Sequence, residues 1–281
     1  MLRVFAAAAA AIVIAAAGAA IAAGDAEHPH DHAFSFDGPV GGYDMGAVQR
    51  GFQVYSQVCS TCHSMDHLAY RHLGEEGGPF AVYMVRDHET GELGEHVGRP
   101  AHGGRFVDVT ENRYVRAIAA GVTISDVDPN SGQLADRPGR ISDRFRRPFP
   151  NEIAARAANG GANPPDLSVI TSARHGGADY IYALLTGYTG ASEGTLYENP
   201  YFPGHRIAMP PPLIAGAVPY ADGSPTTVEQ YAADVTHFLQ WAGDPHMEAR
   251  KRLGIVVLAF LAALSALLWL AYKQVWRNES H

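Results

Sequence analysis

Cys59, Ser60, Thr61, Cys62 and His63 form a C-x-x-C-H run that holds the only two cysteines in 281 residues. Two thiols at this spacing, followed at once by an imidazole, suit the attachment of a c-type haem. Each thiol can add across one vinyl group to give a thioether. His63 is then held under the ring and can ligate the iron. Two other chemistries use paired cysteines. A redox dithiol has no need of the adjacent histidine. A tetrahedral zinc needs about four ligands, and the chain has no second cysteine pair.

A haem that only moves electrons is usually six-coordinate, with thioether or imidazole on the distal side. The sulfur candidates are Met45, Met65, Met84, Met209 and Met247. Met65 is too close to the attachment run to reach the opposite face, and Met247 abuts an apolar C-terminal segment. Met209 precedes Pro210, Pro211 and Pro212, which fix φ at three successive residues and remove three backbone donors. Such a stiff stretch can hold a sulfur at the iron. His175 and His205 are the competing donors, and simple core packing would also account for Met209.

The elements that must position these groups are legible in part. Asp44 suits an N-cap, and Val48, Phe52 and Tyr55 recur at helical spacing, so a helix leads from Asp44 to Val58 into the attachment run. A closing helix starts after Pro225, with Thr226 and Glu229 at capping-box spacing. Val228, Tyr231, Val235, Phe238 and Leu239 give it one apolar face, and Gly243-Asp244-Pro245 ends it. Shorter helices are expected over 111–120, 152–159 and 178–186. Residues 87–147, rich in Gly, Asp, Arg and Pro, read as an irregular insertion with one helix, and no strand alternation stands out. His28, His30 and His32 could bind a metal, but the tract reads better as a polar tail.

Two apolar segments bracket this region. Residues 1–23 have one early arginine, an Ala-rich core and small residues before Ala22 and Ala23, the pattern of a cleaved secretory signal; an uncleaved anchor is the alternative. Leu253 to Tyr272 contains 20 residues without a charge, enough to cross the hydrocarbon layer. Arg250, Lys251 and Arg252 precede it, and Trp269, Tyr272 and Trp276 suit the interface at its far end. The expected organisation is a signal over 1–23, an exported haem domain over 24–249 and an anchor over 250–281, with the C-terminus cytoplasmic. Residues 4–249 hold 28 Asp and Glu against 15 Arg and no Lys, a net charge of −13. This disfavours nucleic acid, whose phosphates would be repelled, and favours a basic partner steered by charge.

A longer set of motifs resembles the cytochrome c1 family, the haem subunit of the bacterial cytochrome bc1 complex (ubiquinol–cytochrome c reductase). It comprises Arg50 to Tyr55, Val58 to Met65, Ala69-Tyr70-Arg71, Pro150-Asn151-Glu152, Ala154 to Gly161, Pro164 to Ser168, Ala173 to Tyr180, Leu184 to Tyr188, Asn199 to Gly204, Ile207 to Leu213 and Met247 to Gly254. The resemblance implies a mostly α cytochrome c fold with large loop insertions and one C-terminal transmembrane helix. It implies one haem c on Cys59 and Cys62, with His63 and Met209 as axial ligands, Asn159 and Arg174 at the propionates, and Pro165 and Tyr180 in the haem surround. It further implies an electron-transfer subunit without bond chemistry of its own. Electrons would come from the Rieske iron–sulfur protein and pass to a soluble or membrane-tethered cytochrome c with a basic docking face, with cytochrome b beside the anchor. The location would be the bacterial inner membrane, with the haem domain in the periplasm. Many bacterial relatives have an added disulfide in the distal region, for which this chain has no cysteines. A haem c subunit of a terminal oxidase or other membrane dehydrogenase, and a haem-based sensor, are the rival readings.

Overall fold

The computed structural model describes residues 26–100 and 103–278. The expected signal over 1–23 lies outside the described residues.

Helix α1 (Met45–Gln57) begins where Asp44 accepts the N–H groups of Gly46 and Ala47 at 2.9 and 3.1 Å. It buries Ala47, Val48, Gly51, Val54 and Tyr55. The short helices α2 (Arg113–Ala120), α3 (Glu152–Ala158), α4 (Ile170–Ala173) and α5 (Gly177–Thr186) follow, and α6 (Val228–Gly243) closes the domain. α1 and α6 cross in the most extensive contact of the fold, the arrangement expected for a cytochrome c. The closing helix starts one position later than the capping-box spacing predicts: Thr227, not Thr226, accepts from the Gln230 N–H at 3.2 Å.

Gly51 makes the crossing possible. A Cβ there would stand 2.0 Å from the Asp234 carbonyl oxygen on α6. Beside it, Arg50 donates to both carboxylate oxygens of Asp234 at 2.9 and 3.0 Å, and to Asp222 at 2.9 Å. The Asp234 side chain is only 1% exposed, so a bidentate partner is what makes its burial tolerable. Tyr231, Val235, Phe238 and Trp241 of α6 fill the core with Val48, Val54 and Met65. Met65 is fully buried, which places it in the core.

Residues 87–147 are more regular than expected. β1 (Val82–Arg86) pairs antiparallel with β2 (Leu93–Val97) and β3 (Arg105–Phe106), and β4 (Thr123–Val127) pairs with β5 (Leu134–Pro138). The two hairpin tips are built alike. Gly91 and Gly132, at φ 73° and 69°, return their N–H groups to the carbonyls of Asp87 and Asp128. β2, β4 and β5 are almost wholly exposed on both faces, so no buried face writes an alternating pattern into the sequence. A third small sheet joins β6 (Ser192–Glu193), β7 (Leu196–Glu198) and β8 (Arg206–Ile207).

Residues 26–43 run as a strap: of the tract expected to be a polar tail, His28 and His30 are exposed but His32 is tied down. The His32 N–H donates to Asp179 at 2.9 Å, and its ring stacks on Tyr182 with centroids 4.0 Å apart. Phe34 and Phe36 are buried against His237 of α6. Among the described residues, no group of three or more His, Cys, Asp or Glu is arranged to hold a metal ion. After α6, α7 (Met247–Val275) runs 29 residues, about 43 Å at 1.5 Å per residue. It is long and apolar enough to cross a bilayer.

Candidate functional site

The attachment run grows out of the end of α1. The helix tightens into a 3₁₀ turn over Cys59–Thr61. The N–H groups of Cys62 and His63 both return to the Cys59 carbonyl, at 3.1 and 2.9 Å. That single turn brings two free thiols and one imidazole together. Burial, with the neighbouring Cys62 sulfur adding to it, pushes the Cys59 thiol up to about 12.

His63 is oriented from a distant segment. Its Nδ1 lies 2.8 Å from the Pro165 carbonyl oxygen. A carbonyl only accepts, so Nδ1 holds the proton and Nε2 keeps its lone pair. Burial pushes the imidazole below its ordinary pKa, against the opposing effects of the Pro165 carbonyl and Asp166. A neutral ring with its second nitrogen hydrogen-bonded to a carbonyl is the form that binds a metal. Two free thiols and one such imidazole therefore fit haem c. Tyr55, buried on α1, adds a 3.4 Å contact from its hydroxyl to the His63 carbonyl.

Asp166 ties the segment after His63 to the Pro165 segment, and sequence reasoning did not single it out. One carboxylate oxygen accepts from the Ser64 hydroxyl at 2.7 Å and the Asp66 N–H at 2.8 Å; the other accepts from the Ser168 N–H at 2.9 Å. The Leu167 N–H donates to the Ser64 carbonyl beside it. Burial alone would raise the Asp166 pKa, but these hydrogen bonds outweigh it and hold the carboxyl below its usual range. Its stabilising effect is thus present above the unfolded carboxyl's pKa and fades as pH falls through the lower folded value. We expect Asp166→Asn to cost about 1 to 3 kcal/mol and to flatten the acid limb of stability. Thermal melts of the haem domain at several pH values measure both.

The Tyr188 hydroxyl donates to the Met209 carbonyl at 3.0 Å. The half-buried Met209 lies just after β8, between buried Ile207 and Leu213. Burial raises the pKa of both Tyr180 and Tyr188; Arg174 acts on the former and Tyr180 on the latter. Of these residues, Tyr188 and Met209 are joined directly, by the hydroxyl-to-carbonyl bond. Arg174 is exposed and has no carboxylate partner among the described residues, leaving its guanidinium free for an acidic ligand group. Asn159 caps α3 and gives one amide N–H to the Ala155 carbonyl at 2.7 Å, which leaves its oxygen and second N–H. His175 is exposed, and His205 sits at φ 57° in the turn before β8. Tyr188 went unassigned in the sequence because nothing local marks a hydroxyl that acts 21 residues away.

A mostly helical domain with crossed terminal helices beside a C-x-x-C-H turn, joined to one membrane-length helix, is a membrane-anchored c-type cytochrome. The chain belongs to the cytochrome C1 family, which matches residues 34–279. It is 43% identical over 259 residues to a mitochondrial cytochrome c1 haem protein of Solanum tuberosum, covering 87% of this chain and 86% of that one. It is 38% identical over 273 residues to cytochrome c1 of Rhodospirillum rubrum, covering 90% and 89%. It is also 42% identical over 279 residues to the cytochrome b/c1 protein of Bradyrhizobium diazoefficiens, covering 90% of this chain but only 36% of that longer protein. Haem c is its cofactor, through Cys59 and Cys62, and its class is that of an electron-transfer subunit of ubiquinol–cytochrome c reductase.

Proposed function

We propose that this chain takes electrons from a Rieske iron–sulfur protein and passes them to a soluble or membrane-tethered cytochrome c. The observation that carries this reading is the C-x-x-C-H turn with His63 fixed by Pro165, in a chain of this family. When bound, the haem supplies a one-electron iron couple. Cys59 and Cys62 tether it, and His63 offers Nε2 as the proximal ligand. Met209 would hold the iron through its sulfur, on a segment stiffened by Pro210 to Pro212 and tied by Tyr188. Arg174 and Asn159 meet the propionates, Arg174 through a guanidinium suited to paired carboxylate oxygens, while Pro165 and Tyr180 line the surround. A cation at this edge disfavours the extra positive charge of ferric iron and so raises the potential.

Residues 1–23 act as the export signal, 24–249 form the periplasmic haem domain, and 250–281 hold α7 in the plasma membrane beside cytochrome b, with the C-terminus inside. Purification from native membranes tests the reading. Cytochrome b and the iron–sulfur protein should co-purify with this chain, whose band should retain haem stain after denaturing electrophoresis. Recovery without cytochrome b would remove the assignment.

The acceptor should be basic. Several of the acids in 87–147 and the β6–β7 hairpin are already paired: Asp126 and Asp143 with Arg137, Glu95 with Arg113, and Glu193 with Arg206. Glu76, Glu89, Glu92, Glu111 and Glu152 are exposed and have no cationic partner among the described residues. Oxidation of the reduced haem domain by a basic cytochrome c should therefore slow as salt rises. The field is screened to about 8 Å at 0.15 M. A rate that stays flat with ionic strength would place the excess negative charge away from the docking face.

A further inference from the structure

Three residues, Asp244, Pro245 and His246, separate α6 from the membrane helix α7, so no continuous helix sets the angle between them. The junction is nevertheless heavily tied. Glu248 accepts the Tyr43 N–H at 2.7 Å and pairs with Arg99 from the loop after β2. One turn on, Lys251 donates to the carbonyls of Phe36 and Gly41, the latter at 3.3 Å. The Tyr43 hydroxyl reaches across the break to the Asp244 carbonyl at 2.8 Å. Met247 is 3% exposed and seats the start of the helix in the domain core. Gly42 leaves room for the carboxylate, since a Cβ there would stand 2.9 Å from Glu248 Oε1. Beyond Lys251 the described helix is exposed throughout, so every tie falls on its first turns.

We infer that residues 36–43 form a socket for the membrane helix, and that Glu248 and Lys251 are positioning residues for electron transfer. They hold the haem domain at one height and tilt above the bilayer. Glu248 lies five residues before Leu253, about 7.5 Å along the helix, so the socket sits at the membrane surface. The inference rests on the proposed function for its consequence. A donor within the membrane complex meets a haem whose position the anchor sets. A soluble carrier approaches from solution and does not depend on that tilt.

The test uses the full chain in native membranes with three variants. Glu248→Gln combined with Lys251→Met removes both charged ties. Gly42→Ala keeps every polar group but pushes the Glu248 carboxylate aside. Arg252→Gln removes an adjacent, exposed charge that forms no hydrogen bond or ion pair among the described residues. The readouts are the angular spread of the haem EPR signal in oriented membrane stacks, the midpoint potential, the haem content and the two half-reaction rates. In the double variant and in Gly42→Ala, the angular spread should broaden and quinol-driven reduction should slow by about tenfold or more, since small misplacements of reacting groups are costly. Potential, haem content and oxidation by soluble cytochrome c should stay at the wild-type level, and Arg252→Gln should match wild type throughout. An unchanged spread and reduction rate in both socket variants would overturn the inference. Haem content and both rates falling together would also overturn it, by showing a folding role only. If wild-type haem is itself not reduced by quinol, the functional reading fails, and the EPR spread alone then decides the socket.

Discussion

Met209→Leu is expected to leave haem covalently attached and to lower its midpoint potential by on the order of 0.1 V or more, within the roughly 0.8 V that axial ligands span. The tether is independent of Met209, because Cys59 and Cys62 lie on the turn after α1. Leucine nearly conserves volume, and such swaps usually cost less than about 1.5 kcal/mol. The Tyr188 bond is to the Met209 carbonyl, so it survives the change and keeps the segment in place. What is lost is a soft sulfur that favours ferrous iron, and the sign of the shift follows. Reduction by the iron–sulfur partner should then stall. A redox titration with a haem-stained gel checks both halves. An unchanged potential would move the distal ligand to His175 or His205.

Gly51→Ala should be severely damaging, because one methyl group there wedges α1 and α6 apart. The new Cβ would stand 2.0 Å from the Asp234 carbonyl oxygen, 2.6 Å from its carbon and 2.8 Å from Phe238 Cβ. The nearest of these are backbone atoms of α6 and cannot rotate aside, so the two helices must part. Overpacking alone costs about 1 to 3 kcal/mol. Parting also strains the Arg50–Asp234 pair, and breaking a buried pair costs about 3 to 5 kcal/mol. Domains have only about 5 to 15 kcal/mol of stability in total. Haem-stained protein should therefore fall to a small fraction of the wild-type level, with a large drop in Tm where any remains. Gly254→Ala is the control, since no atom lies within 4 Å of that added Cβ. Normal accumulation of the Gly51→Ala protein would show that the crossing has slack.

The terminal helices and the proximal turn were legible because their information is local. Asp44 announces the start of α1, an apolar face runs through α6, and five consecutive residues define the attachment chemistry. The hairpins were not legible, because β2, β4 and β5 bury neither face and periodicity records only burial. The ordered strap was missed for a different reason. His28, His30 and His32 are polar by type, and only the fold reveals that His32 stacks on Tyr182. Asp166 and Tyr188 act through partners about 100 and 21 residues away, which is beyond any local reading. The expectation that Met209 ligates the haem rests on its prolines and the family resemblance together, not on spacing alone.

The β4–β5 hairpin closes on itself. Its tip is held by its own backbone, its cross-strand pair Val127 and Leu134 is exposed, and it supplies none of the residues assigned to the haem. Length and wording at residues 129–131 are thus free to drift over evolutionary time without touching the redox centre. The same freedom makes this loop a suitable place to splice in an affinity epitope, allowing the assembled cytochrome to be captured while both of its ends stay native.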